Sequence, residues 1–274
     1  MITWISSYPK SGNTWMRAFL SAYQHQAINI NNFGHGFVYD DSCTIAYQSV
    51  CSLPVGWLKK DTWLLLRGAA LLWINHLHQG KDCYVKTHNQ MATVRGVEMF
   101  PDVLTRNAIY IVRDPRDVAP SLARHMEHEE DIDRAIYSMC NVTQAIDKKE
   151  KARNYIGRWD DHVEGWTNTG GMDRLPVRYE DMVRSPEKTF IRVLSFLKWP
   201  VVRKRLEIAL ELTKLSKLRA QEEQFGFNQK SEDAGFFFGK SDEIGRGRKQ
   251  LTEPQVACIE KAFGSTMRKW GYLN

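Results

Sequence analysis

No apolar run in this 274-residue chain approaches the ~20 residues that cross a bilayer. The longest, around Trp63 to Ile74, is interrupted by Arg67 and Gly68. Cysteine is sparse: five residues, widely spaced, with no C-x-x-C pair. An odd, scattered set gives neither a disulfide framework nor a zinc knuckle, so the reading is thiols in a reducing compartment. The chain starts directly on a strand-like segment, with no secretory signal pattern, and a cytoplasmic protein without a membrane span is expected. No block of Lys and Arg is long enough to form a nucleic-acid arm, and the net charge of +6 is spread along the chain. That balance favours anionic ligands or surfaces and is too diffuse to name nucleic acid. No metal set stands out. His76 and His78 lack the i, i+4 spacing of helical ligands, and the His and acid residues between Arg124 and Lys151 read as a solvated face. There is no internal repeat or low-complexity linker, and a hydrophobic content of 43% suffices for a real core. The length fits one large α/β domain or two small ones.

What is present concentrates at the start. Ile2 to Ser6 has the composition of a short buried strand. Ser7-Tyr8-Pro9-Lys10-Ser11-Gly12-Asn13-Thr14 is a tight loop, and Trp15, Ala18, Phe19, Ala22 and Tyr23 then fall on one helical face. A strand, a small-residue loop and a helix make an anion site, because the first N–H groups of a helix lack partners and its dipole is positive there. Gly12 permits close approach, Lys10 adds a full charge, and Ser11, Asn13 and Thr14 add donors. An ordinary turn capped by Ser11 or Asn13 gives the same pattern. The ATP-type loop G-x-x-x-x-G-K-[ST] is absent, since Lys10 precedes Gly12 and Asn13 follows it.

Further along, Asp82 to Lys86 reads as a strand ending in Lys86-Thr87-His88, and Ala108 to Val112 as a central parallel strand. The latter leads into Arg113-Asp114-Pro115-Arg116-Asp117, where Asp114 suits a helix cap and Pro115 the first helical position. Leu175 to Tyr179 reads as a strand running into Tyr179-Glu180-Asp181. Thr62 to Leu77 is expected as a helix with Leu65, Leu66, Ala69, Leu72, Trp73 and His76 inward. Ile28 to Val38 reads as loop, with Phe33, Phe37 and Tyr39 as aromatic candidates for a lid or acceptor wall. Arg203 to Leu218 is helical, and a Gly-, Lys- and Arg-rich loop from Phe236 precedes a final helix begun at Thr252.

These pieces resemble, in order, the motifs of sulfotransferases that use PAPS (3′-phosphoadenosine 5′-phosphosulfate), including bacterial members such as the glycopeptide sulfotransferases. All of Tyr8 to Trp15 except Asn13 fits the commonest form of the family's Y-P-K-S-G-[TN]-T-W loop. The resemblance implies an α/β fold, a P-loop-like central parallel sheet with helices on both faces, as a single domain over 1–274. It implies His88 as general base, with Lys10 and Lys86 on the transferring group. Lys10, Ser11, Gly12, Asn13 and Thr14 would hold the 5′-phosphate, Trp15 would stack on the adenine, Tyr179 would contact the nucleotide, and Arg113 and Ser121 would hold the 3′-phosphate. Lys240, Arg246 and Arg248 are candidates for closing over the cofactor, although the family's R-K-G start and Trp are missing from that loop. The implied partners are PAPS, leaving as PAP, and an acceptor hydroxyl or amine on a small molecule, natural product or carbohydrate; no metal is required, and a homodimer stays open. Two other readings are a P-loop kinase, for which Asn13 stands where a Lys belongs, and a nucleotide-binding module without catalysis.

Overall fold

Five parallel strands form the central sheet, in the order β2-β3-β1-β6-β9. The computed structural model of the chain describes residues 1–31, 38–78, 81–125, 131–147, 151–168, 170–228, 237–238 and 244–274. The strands are β1 (Ile2–Ser7), β2 (Val38–Asp40), β3 (Cys83–Thr87), the short pair β4 (Thr93–Val94) and β5 (Val97–Glu98), β6 (Thr105–Val112), the short pair β7 (Ala145–Ile146) and β8 (Asn154–Tyr155), and β9 (Asp173–Arg178). The helices are α1 (Asn13–His25), α2 (Thr44–Gln48), α3 (Lys60–Leu77), α4 (Pro115–Ala123), α5 (Ile132–Met139), α6 (Trp159–Asn168), α7 (Tyr179–Arg184), α8 (Pro186–Phe196), α9 (Arg203–Leu212), α10 (Leu215–Phe225) and α11 (Glu253–Lys269). No helix among the described residues is long and apolar enough to cross a membrane.

The chain divides into two compact units. The first holds Met1–Tyr8, Val38–Tyr110 and Cys140–Pro176, and the second holds Pro9–Phe37, Ile111–Met139 and Val177–Asn274. In the first, β3 pairs in parallel with both β1 and β2, with Ile2 opposite Cys83 and Val38 opposite Tyr84. Every residue of β1 is buried, as expected of a parallel strand covered on both faces. Trp4, Phe100, Trp166 and Tyr110 form a continuous aromatic chain beside the sheet, and the Trp4 indole donates to Thr105 Oγ1 at 3.1 Å. In the second unit, Phe19 of α1 stacks on Phe190 of α8 with centroids 3.8 Å apart, and Tyr23 stacks on Trp199. The start of α4 follows its sequence: Asp114 accepts from Arg116 N and Pro115 opens the helix. The same holds at α11, where Thr252 and Gln255 form a reciprocal capping box.

Three expectations need correction. First, α3 buries Trp63, Leu64, Arg67, Ala70, Leu71 and Ile74, whereas Leu65 and Leu72 are 70% and 56% exposed. The helix is apolar nearly all round, so periodicity marks no single inward face. What fixes the face is Arg67, whose guanidinium donates to Asp41 Oδ2 at 2.8 Å and to Met99 O at 2.9 Å. Second, Tyr39 lies in β2, an edge strand too short to leave a sequence pattern. Third, the helical stretch after Arg203 is two helices that break at Thr213, whose hydroxyl bonds back to Ala209 O. Phe33, Phe37 and Lys240 lie outside the described residues.

Candidate active site

Four of the five sheet strands hand over directly to a predicted motif at their carboxyl ends: β1 to Tyr8–Thr14, β3 to His88, β6 to Arg113 and β9 to Tyr179. Ligands of open parallel sheets bind outside those ends. The predicted residues divide between the units. Lys86 and His88 belong to the first; Lys10 to Trp15, Arg113, Ser121, Tyr179, Arg246 and Arg248 belong to the second.

In the second unit the loop ends on an uncapped helix start. Lys10 and Gly12 both take left-handed conformations, with φ of 66° and 102°. Gly12 is the residue before α1, and no side chain caps that helix, nor does an acid occupy its first turn. The alternative of a turn closed by Ser11 or Asn13 is thereby overturned. The Ser11 side chain is fully buried, and its Oγ finds no hydrogen-bond partner among the described residues. Buried hydroxyls are rarely left so, and an anion seated on uncapped N–H groups would satisfy it. Thr14 Oγ1 accepts from the buried Arg17 at 3.2 Å.

Gly12 is also held by its surroundings: a Cβ there would come within 2.7 Å of Tyr179 Cδ2. The opposite use of the Tyr179 ring is as a platform for Arg113, whose guanidinium carbon sits 4.2 Å from the ring centroid. Arg113 Nη1 donates to the Lys10 carbonyl at 2.9 Å, while its Nε is buried with no partner among the described residues. The Lys10 ammonium lies over the Phe237 ring, 3.7 Å from the centroid. Trp15 is almost fully buried, edge-on to Tyr179 and Phe190, with its indole N–H unpartnered among the described residues. Lys10, Gly12, Trp15, Arg113 and Tyr179 thus form one packed group.

Two supports of this group escape sequence reasoning. Glu180, buried beside Tyr179, accepts from Asp114 N at 3.1 Å and from the Tyr272 hydroxyl at 3.0 Å. Burial pushes the Glu180 carboxyl up, against those hydrogen bonds. Arg116 reaches Asp114, Glu260 and the Tyr272 carbonyl. Asp117 accepts from the backbone N–H groups of Gly245, Gly247 and Arg248 at 2.9, 2.7 and 3.3 Å. A Cβ at Gly247 would meet the Asp117 backbone at 2.5 Å, which explains a glycine where the family loop has its Trp. Asp117 therefore ties the exposed Arg246 and Arg248 to the helix carrying Ser121, four residues further on.

In the first unit, His88 Nδ1 lies 2.8 Å from the Ser7 carbonyl oxygen. A carbonyl only accepts, so Nδ1 carries the proton. The neighbours of His88 are fixed from below. Asp41, fully buried, accepts from Thr87 Oγ1 at 2.7 Å and Asn89 Nδ2 at 2.9 Å as well as from Arg67. Lys86 Nζ lies 3.3 Å from Asp40 Oδ2, which also takes Lys151 at 2.9 Å. Burial alone would raise the Asp40 carboxyl; Lys86 and then Lys151 outweigh it and hold the group well below the usual carboxylate range. An isolated Arg inside an apolar helix was the one sequence signal for this network, since a buried guanidinium requires an acid partner.

The fold and its loop define an α/β protein whose first strand, loop and helix leave an uncapped helix start at the sheet's carboxyl edge. Residues 2–271 match the sulfotransferase domain family. The chain belongs to that family and is a sulfotransferase. Among solved structures it is similar to mouse sulfotransferase SULT7A1 complexed with PAP, at 17% identity and a TM-score of 0.63, covering 97% of this chain and 84% of that one. It is also similar to retinol dehydratase in complex with androsterone and inactive cofactor PAP, at 17% identity and a TM-score of 0.63, with 97% and 80% covered. A complex of retinol dehydratase with retinol and PAP gives 16% identity and a TM-score of 0.65, with 97% and 81% covered. At such identities the likeness is one of fold. No curated protein matches the chain.

Proposed function

We propose that the chain, acting as one catalytic domain over 1–274, moves the sulfuryl group of PAPS to a hydroxyl or amine of a small-molecule, natural-product or carbohydrate acceptor. The observation that carries this is the uncapped start of α1, with Gly12 left-handed and the buried Ser11 hydroxyl unpartnered among the described residues. PAP in the solved relatives, and the alcohols androsterone and retinol named with retinol dehydratase, support the cofactor and acceptor classes. A cytoplasmic setting suits five free thiols.

When bound, PAPS supplies the electrophilic sulfuryl group. Lys10, Ser11, Gly12, Asn13 and Thr14 hold the 5′-phosphate; Arg113 and Ser121 hold the 3′-phosphate, with Lys240, Arg246 and Arg248 closing over it. Trp15 stacks on the base, and Tyr179 contacts the nucleotide. His88 takes the acceptor proton on Nε2, the nitrogen left unprotonated by the bond from Nδ1 to Ser7 O. Lys10 and Lys86 stabilise negative charge on the transferring group. These residues need no metal among them.

The test pairs two measurements. PAP near a hundredfold above its Kd should stabilise the chain by about 2.7 kcal/mol, and ATP with Mg²⁺ far less. His88→Ala should leave PAP affinity nearly intact and cut transfer from labelled PAPS by roughly 10²–10⁴-fold. Equal stabilisation by ATP would point to a kinase, and near-full turnover without the imidazole would remove His88 as base.

A further inference from the structure

A second histidine bears directly on the first. His162 of α6 is completely buried, on the face that also buries Trp159, Val163 and Trp166. Its Nε2 lies 3.2 Å from the carbonyl oxygen of His88, and its Nδ1 lies 2.9 Å from the Tyr110 hydroxyl. The carbonyl only accepts, so Nε2 carries the proton and Nδ1 accepts from Tyr110. Burial pulls His162 down to about 4, so the ring is neutral and holds this one tautomer at neutral pH. The Tyr8 ring packs edge-on against it, with centroids 5.4 Å apart.

The residues on either side of His88 are held as well. Thr87 and Asn89 bond to Asp41, and the Asn89 carbonyl accepts from the Trp166 indole at 3.0 Å. Two bonds hold opposite ends of residue 88: Ser7 meets the ring at Nδ1, through its carbonyl oxygen at 2.8 Å and its Oγ at 3.4 Å, and His162 Nε2–H meets the carbonyl. If the carbonyl is released, the His88 peptide can turn, and the ring loses the geometry of its bond to Ser7.

We propose that His162 is a positioning residue for His88, holding its carbonyl so that the ring stays bonded to Ser7 O with Nε2 presented to the acceptor. This rests on His88 being the base. Displacement of a reacting group by about 1 Å costs on the order of 10²-fold in rate. His162→Phe, which fills the space without a donor, should therefore lower kcat by roughly ten- to a hundredfold and leave the PAP dissociation constant unchanged. His162→Gln, whose amide can donate to the carbonyl, should recover most of that loss.

The experiment is a double-mutant cycle with His88→Ala, with labelled PAPS and the best phenol or sugar from an acceptor panel, plus imidazole ¹⁵N NMR of the ligand-free chain. His88 should show a single Nδ1-protonated tautomer in the wild type and a mixture in His162→Phe. In the His88→Ala background, His162→Phe should cost no further turnover. An equal cost in both backgrounds, or an unchanged His88 tautomer, overturns the positioning role alone. Near-full turnover by His88→Ala overturns the base assignment, and the proposal with it. Should His162→Phe fail to fold, Tyr110→Phe removes the hydroxyl that fixes the His162 tautomer; a kcat loss at constant PAP affinity supports the role, and an unchanged kcat overturns it.

Discussion

Replacing Gly12 by alanine tests whether the loop works by close approach. Two separable terms oppose the change. The backbone φ of 102° is one that L-residues rarely adopt, at a cost of about 1–2 kcal/mol. The new Cβ would also stand 2.7 Å from Tyr179 Cδ2, so the ring must move, and overpacking of this kind costs about 1–3 kcal/mol. Together they predict a loss of about 2–5 kcal/mol, or a fall in Tm of roughly 5–20 °C for a chain of this size. The ring that moves also carries Arg113 at 4.2 Å, so PAP affinity should fall as well. Calorimetry gives the first quantity, and a PAP titration at low temperature, with both proteins folded, gives the second. Adding Tyr179→Ala to Gly12→Ala removes the steric term and leaves the conformational one, so the Gly12→Ala penalty measured on that background should shrink to about 1–2 kcal/mol. A Gly12→Ala protein that melts within a degree of wild type and binds PAP as tightly would refute the reasoning.

Arg113→Ala should weaken PAP by roughly ten- to a hundredfold, since charge-assisted bonds to phosphate are worth about 1.5–3 kcal/mol each. Adenosine 5′-phosphosulfate, which has no 3′-phosphate, should lose much less. Because Arg113 also holds the Lys10 carbonyl and covers Tyr179, equal losses for the two ligands would assign it to the scaffold. The buried His162 predicts an acid-side loss of stability. Its folded value of about 4 lies below the ordinary 6.5, so its contribution is full above 6.5 and is lost as pH falls toward 4. At about 1.4 kcal/mol per pH unit this amounts to about 3 kcal/mol. Melting curves from pH 7 to 4 should show that slope in wild type and a shallower one in His162→Phe; identical slopes would mean the ring does not resist protonation.

The loop at Lys10–Thr14 was legible because its chemistry is local. A glycine needed for a left-handed turn, a lysine and small donors all lie within one stretch, between a strand and a helix that they connect. The cap at Asp114-Pro115 was legible for the same reason. The inward face of α3 was not, because Leu65 and Leu72 are as apolar as Leu64 and Leu71, and the deciding partner of Arg67 lies at Asp41. Asp117, Glu180 and Tyr272 were invisible as supports because their partners are separated by scores of residues, as in Asp117 with Gly247 and Glu180 with Asp114. His162 could be read as a core residue of α6 but not as the donor to His88, since nothing in the sequence states which carbonyl a buried imidazole will meet.

The charged residues that the motifs predicted arrive already engaged. Lys86 has Asp40, Arg113 has the Tyr179 face and the Lys10 carbonyl, and the Lys10 ammonium has the Phe237 ring. An anion that reaches any of them gains only the difference between its own contact and the one displaced. For Lys86 that difference is smallest, because Asp40 is itself a carboxylate held strongly in its charged form. A ground-state sulfuryl group, with its charge spread over several oxygens, competes poorly for that ammonium. The bridging oxygen that gathers charge as transfer proceeds competes better. Under the proposed mechanism, an ammonium shared with Asp40 would favour the transition state over the bound substrate and raise turnover without tightening binding.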